Sequence, residues 1–152
     1  MVKDIQGSDM QEPRAIRDGM FLGRLSDLKD VSLAGTRCAA CAETSLGSVS
    51  LCPNCGSDRV HTLRLGDEGI LWTYTVARHT PPGDYRGPEP FKPFGVGLVE
   101  LAEGLRVMSV LECELDELRV GLPLRFSPFL RHDKNGGTVV AFTYRSAAES
   151  AS

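Results

Sequence analysis

Hydrophobic and polar positions change rhythm along this chain, and the changes mark its elements. Met1 to Glu12 has no apolar periodicity, as expected of a tail that is mobile or held only by a partner. From Pro13 the pattern predicts a short helix over Arg14 to Asp18, with Pro13 in its first turn and Gly19 ending it. Met20, Phe21, Leu22, Leu25, Leu28, Val31 and Leu33 follow as an irregular apolar series. Either they pack onto the chain's own downstream modules or they cover a groove on another protein. Beyond His61 the rhythm is that of β-strands. His61 to Leu65 reads as a short strand, and Gly66 to Gly69 turns into a longer one, Ile70 to Arg78. There Ile70, Trp72, Tyr74 and Val76 form a strongly apolar face, which places Trp72 in the core. Phe94 to Leu101, a tight turn at Ala102, Glu103 and Gly104, and Leu105 to Cys113 come next. A helical turn at Asp116 to Val120 leads to two last strands, Leu124 to Arg131 and Thr138 to Arg145, joined at the Asn135-Gly136-Gly137 hairpin signal. Five such strands, with one long loop after the first and a helical turn before the fourth, predict a small Greek-key barrel of the OB type, with a sandwich as the lesser alternative.

Between the apolar series and the strands lies the chemistry. Four of the five cysteines stand in two Cys-x2-Cys pairs, Cys38 with Cys41 and Cys52 with Cys55. Each pair lets two thiolates reach one ion from a single bend, and two bends across a short hairpin complete a tetrahedral four-sulfur shell, the zinc-ribbon pattern. Pro53 stiffens the second turn and Gly56 can take a left-handed conformation there, whereas the first turn has Ala42 where glycine is expected. Four thiolates around Zn²⁺ leave about two net negative charges, and Arg37, Arg59 and His61 are close enough in sequence to offset part of that field. A closed site of this kind staples a fold and leaves no position for substrate. The same sulfurs can hold rubredoxin-like iron. Two disulfides fit poorly, because no apolar leader precedes the cysteines and the expected compartment is the reducing cytoplasm.

Composition narrows the function. The chain has 152 residues, 41% of them hydrophobic, which suits one modest core plus a metal-stapled module. The net charge is -3, and no two Lys or Arg residues are adjacent, so the electrostatic footprint of a nucleic-acid binder is missing. No apolar stretch is long enough to span a bilayer. Outside the paired cysteines only Cys113 remains as a thiol, and Glu112 and Glu114 beside it disfavour a thiolate. His61, His79 and His132 are isolated from one another, and Gly95-Val96-Gly97 lacks the rest of a dinucleotide fingerprint, reading instead as a strand with close backbone packing. No catalytic residue is assigned.

Taken in order, the N-terminal segment, the four-cysteine ribbon, GILWTYTVARHTPP, PFGVGLVELAEGLRV and VGLPLRF resemble the zinc-ribbon OB-fold family once catalogued as domain of unknown function 35 and associated with acyl-CoA enzymes. The resemblance runs from about Ile16 to Tyr144. It implies mainly β structure with a short N-terminal helix: an N-terminal helical or extended docking segment over 1–34, a zinc ribbon over 35–66, an OB-fold domain over 67–146 and a disordered tail over 147–152. It also implies a non-catalytic accessory subunit that forms a hetero-oligomer with a thiolase-like protein carrying the catalytic residues. The expected chemistry is thiolytic cleavage or acyl transfer at a 3-oxoacyl-CoA, an aromatic acyl-CoA such as benzoylsuccinyl-CoA included. A hydratase or aldolase partner is the alternative, and a nucleic-acid-binding module the alternative from another class. The implied cofactors are one structural zinc at Cys38, Cys41, Cys52 and Cys55, and coenzyme A or an acyl-CoA shared with the partner.

Within that expectation the long loop from His79 to Pro93, holding five of the nine prolines, is the place to look for ligand contacts. Arg78, His79, Arg86 and Lys92 are candidates to meet the phosphates of coenzyme A, and Tyr85, Phe91 and Phe94 to line its pantetheine arm or an acyl group. The plainer reading of any one of these side chains is a solvated group on a proline-stiffened surface loop.

Overall fold

The computed structural model describes residues 13–83, 90–132 and 135–147. They form ten strands: β1 (Arg14–Ala15), β2 (Phe21–Leu22), β3 (Ser32–Cys38), β4 (Thr44–Leu46), β5 (Val60–Arg64), β6 (Glu68–Ala77), β7 (Phe94–Leu101), β8 (Arg106–Glu112), β9 (Pro123–His132) and β10 (Thr138–Ser146), with short 3-10 turns at Leu28–Asp30 and Leu115–Glu117. Two compact units divide them, one running to Leu65 and including Pro128–Ala141, the other Gly66–Ser127 with the chain from Phe142.

In the first unit β3 is the central strand. It pairs antiparallel with β2 (Phe21↔Leu33), with β4 (Thr36↔Ser45) and with β5 (Cys38↔Val60 to Ala34↔Arg64). Met20, Val31, Leu33 and Leu65 are buried, so the chain's own sheet takes up much of the early apolar series. Gly35 makes room at the centre for Leu65: a Cβ there would come within 2.8 Å of Leu65 Cδ2, so that side chain would have to shift.

The predicted N-terminal helix is not present. Arg14 and Ala15 instead pair in parallel with Val139 and Val140 of β10, and the Ile16 N–H donates to the Val140 carbonyl at 2.9 Å. A five-residue helix with no apolar stripe forms one or two internal hydrogen bonds, too few to offset nucleation, whereas the sheet edge offers partners at once. Among the described residues the fold class is therefore β-ribbon plus β-barrel, without that helix.

The second unit holds the barrel strands β6, β7 and β8 whole, with the first part of β9 and the last part of β10. Their order is β6-β7-β8-β10-β9, and β9 returns to β6, closing a five-stranded ring. β8 and β10 run parallel (Tyr144↔Leu111), and β7 pairs antiparallel with β6 and β8. Burial alternates strictly along β7 and β8, the signature of one face in and one face out. The core is narrow. A Cβ on Gly97 would lie 2.6 Å from the Thr73 carbonyl oxygen and 2.8 Å from Leu71 Cδ1, and one on Gly95 2.9 Å from Leu118 Cδ1, so these glycines admit the leucines that fill the ring.

Trp72 is not in that core. The ladder between β6 and β7 shifts register after Leu71↔Val99, resuming at Thr73↔Leu98, so Trp72 is an extra residue in a bulge. The bulge breaks the run of alternation that sequence alone extends from Ile70 to Val76. Ile70 and Trp72 face outward, exposed by 45% and 43%, while Tyr74, itself 37% exposed, and Val76 pair with the buried Gly97 and Gly95. The Tyr74 hydroxyl donates to the Leu118 carbonyl at 3.1 Å.

Candidate metal centre and loop site

The ribbon presents its cysteines from two near-identical knuckles. In the first, Cys38 N–H donates to the Glu43 carbonyl (3.0 Å), Ala42 N–H to the Cys38 carbonyl (2.9 Å) and Ala40 N–H to Cys38 Sγ (3.3 Å). In the second, Cys52 N–H donates to the Ser57 carbonyl (2.9 Å), Gly56 N–H to the Cys52 carbonyl (2.9 Å) and Asn54 N–H to Cys52 Sγ (3.3 Å). The fourth residue after each first cysteine is left-handed: Gly56 at φ +79° and Ala42 at φ +68°. Ala42 thus adopts the conformation the knuckle demands although it is not glycine, the one non-glycine at positive φ among the described residues.

All four sulfurs lie within 4.8 Å of one another, with Cys38 to Cys55 at 3.6 Å and Cys41 to Cys52 at 3.7 Å. Four soft thiol donors converging at this spacing, with backbone N–H groups aimed at the sulfurs, fit one tetrahedral ion of the Zn²⁺ type. The hydrogen bonds already favour thiolates. The Cys41 N–H, then that of Ala40, draw the Cys38 thiol down to about 6 against the opposing effect of burial. The Asn54 side-chain amide and the Glu43 N–H lower Cys41. At Cys55 the Ser57 N–H favours the thiolate, but the Cys38 sulfur, lost hydration and the other two sulfurs outweigh it and push this thiol up to about 12. Without an ion the cluster keeps shared protons, which a bound cation displaces.

The loop candidates are placed only in part. Ala77 pairs with Phe94, which holds the two feet of the loop together. Arg78, His79 and Lys92 are at those feet, and the half-buried Phe91 and Phe94 meet edge to face with centroids 6.0 Å apart. Tyr85 and Arg86 lie outside the described residues. A separate cavity of about 600 Å³ at the other end of the barrel has Glu68 and Glu100 in its lining and no Lys or Arg, which does not suit phosphates. Cys113 is half-buried, and His61, His79 and His132 stand on separate elements.

Sequence reasoning missed two features. One is an outward apolar face on β6, β7 and β8. The other is the barrel floor, where Tyr144 has no exposed surface and neither its hydroxyl nor Glu103 Oε1 has a hydrogen-bond partner among the described residues. Burial, reinforced by the charges of Asp67 and Glu103, pushes the Tyr144 hydroxyl well above its ordinary pKa. A tyrosine beside phenylalanines in an apolar strand gives no sequence signal for this.

Residues 63–127 match the family model described as ChsH2, C-terminal OB-fold domain. The Ltp2-ChsH2(DUF35) aldolase structure superposes with a TM-score of 0.57 at 31% identity, covering 76% of this chain and 85% of that one. The chain belongs to the DUF35 family. Among curated relatives of this DUF35 chain, a probable enoyl-CoA hydratase alpha subunit of Thermomonospora curvata is 31% identical over 120 residues, 75% of this chain. The chain spans only 36% of that relative's length. The benzoylsuccinyl-CoA thiolase subunit BbsA of Thauera aromatica is 25% identical over 122 residues, 74% of this chain and 75% of that one. No helix among the described residues is long and apolar enough to cross a membrane.

Proposed function

We propose that this DUF35 chain is a non-catalytic accessory subunit of an acyl-CoA complex, pairing with a thiolase-like chain that makes or breaks a carbon–carbon bond beside the thioester. The observation that carries this reading is the likeness, over three quarters of the chain, to a solved structure named Ltp2-ChsH2(DUF35) aldolase. The similarity to BbsA, named as a benzoylsuccinyl-CoA thiolase subunit, favours thiolytic cleavage at a 3-oxoacyl-CoA, aromatic substrates included. An aldolase partner is the second reading, favoured by the likeness to the Ltp2-ChsH2(DUF35) aldolase.

On this reading Cys38, Cys41, Cys52 and Cys55 hold one structural zinc, which supplies folding energy and no reaction step. The leading segment and ribbon dock the subunit. Arg78, His79 and Lys92, at the feet of the barrel loop, meet the coenzyme A phosphates, joined by Arg86, and Phe91 and Phe94 line the pantetheine channel with Tyr85. Their work is to orient the thioester and exclude water while the catalytic chain supplies nucleophile and base. Among the described residues Cys113 and the three histidines stand on separate segments, in keeping with a nucleophile and base supplied by the catalytic chain.

The test is reconstitution. The catalytic chain is assayed for CoA-dependent cleavage of 3-oxoacyl-CoA substrates alone and with this subunit, and with the subunit carrying Cys113→Ala. Turnover should require the subunit and tolerate the substitution. Turnover by the subunit alone, or its loss in Cys113→Ala, would show that chemistry resides here instead.

A further inference from the structure

The outer side of β6, β7 and β8 is apolar where a solvated sheet face would be polar. Cross-strand pairing sets Val96 beside Val110 and Leu98 beside Met108, with Thr75 and Thr73 completing the rows on β6. Met108 is 69% exposed and Val110 45%, and Trp72 joins them through its bulge. The charged residues of the same strands stand at the margins and are already paired: Arg106 with Glu100 at 3.3 Å, Glu112 with Arg145 at 3.9 Å. The Arg106 guanidinium also lies 3.8 Å from the centre of the Trp72 ring.

From this arrangement we propose that the outer β6-β7-β8 face is the apolar centre of the contact with the catalytic acyl-CoA chain, an inference that rests on the accessory-subunit reading. Charge decides against an anionic occupant. A face for nucleic acid offers free Lys and Arg between its aromatic residues, whereas here Arg106 and Arg145 at the margin face carboxylates, the middle has no cation, and the exposed Arg78 and Lys92 stand only at the loop end of β6 and β7. The matching surface is an uncharged apolar patch on a protein, and Trp and Met flanked by Arg are the residue types that anchor such contacts. Size makes the patch a centre and not a whole interface. Strands about 4.8 Å apart and same-face residues about 6.8 Å apart give a patch of roughly 10 by 14 Å. A stable interface needs about 800 Å² from each partner, so this face is the middle of a larger footprint.

The test uses the full-length subunit with the acyl-CoA enzyme that co-purifies with it, identified by mass and sequence. Met108→Asp introduces a charge at the centre of the face, and Val120→Asp is the matched control, equally exposed at 69% but outside these strands. Met108→Asp should weaken binding of the catalytic chain at least about thirtyfold by sedimentation or interferometry, as expected for an interface anchor. Met108→Ala with Val110→Ala should weaken it less. Val120→Asp should not change it, and zinc content and melting temperature should be the same in all. Equal binding by Met108→Asp and the unaltered chain overturns the proposal while leaving the subunit reading standing. If the unaltered chain brings down no acyl-CoA enzyme, the subunit reading fails and this one with it. A dimer of the isolated chain dissolved by Met108→Asp assigns the face to a second copy, and salt-sensitive oligonucleotide binding lost in that variant assigns it to nucleic acid. Either result overturns the proposal.

Discussion

Replacing Ala42 by glycine should strengthen the ribbon. Ala42 sits at φ +68° in the first knuckle, the place that Gly56 fills at φ +79° in the second, and the same backbone bond to the carbonyl of the pair's first cysteine forms at 2.9 Å in both. An L-residue in the left-handed region costs about 1–2 kcal/mol. Glycine removes that cost but gives the unfolded chain more freedom, worth about 0.4–1 kcal/mol. The expected net gain is about 1 kcal/mol. Because a ribbon of this kind folds with its metal, the gain should appear as zinc affinity raised about fivefold in competition with a chromophoric chelator. Gly56→Ala should lower affinity by a similar factor, since its Cβ would meet no neighbour and the cost is purely conformational. The double variant should return near the starting value. If Ala42→Gly leaves affinity unchanged or lowers it while Gly56→Ala is harmless, the left-handed geometry of the first knuckle is wrong and the reasoning built on it fails.

Cys52→Ser should abolish stoichiometric zinc binding and unfold the β3-β5 hairpin, read by metal analysis and amide exchange; a complex that survives intact would remove the ribbon from docking. Gly97→Ala should cost about 2–3 kcal/mol in chemical denaturation, because its Cβ meets backbone at Thr73 and not only a flexible side chain. Tyr144→Phe should leave stability unchanged or raise it by up to about 1 kcal/mol, as it deletes a buried hydroxyl without a partner. A loss greater than that would reveal a bound internal water. The same variant carries a pH test: a phenol raised in the folded state stabilises fully below its ordinary pKa near 10, and that stability is lost as pH rises through the higher folded value. Melting temperatures of the unaltered chain should therefore fall more steeply above pH 10 than those of Tyr144→Phe.

Much of the barrel was legible because period-two alternation and turn chemistry agreed. Phe94–Leu101 is a strand over the residues the pattern marks, and the Ala102-Glu103-Gly104 turn closes through Gly104 at φ +95°. The clustering of the four cysteines was legible because Cys-x2-Cys spacing dictates a knuckle geometry almost alone. What failed depended on contacts distant in sequence. Arg14–Ala15 forms β structure because β10 offers an edge far along the chain, information a local window lacks. Trp72 turned outward because one bulge reversed the alternation, and composition favoured the core for so large a ring. The outer face itself carried a signal: Arg106 to Glu112 is apolar at Met108 and Val110 on one side and at Val107 and Leu111 on the other, so one of the two sides had to face something other than the barrel interior. Loop contacts with a ligand leave no such periodic trace, which is why Arg78, His79 and Lys92 enter through family resemblance.

Membership in an acyl-CoA complex is best tested by native mass spectrometry of the subunit isolated from its host under mild salt. The spectrum should show one assembly in which this chain stands in fixed ratio to a larger thiolase- or aldolase-type chain, with about one zinc per copy of the small chain. A chain that flies alone, or that carries nucleic acid in place of an enzyme, would contradict it.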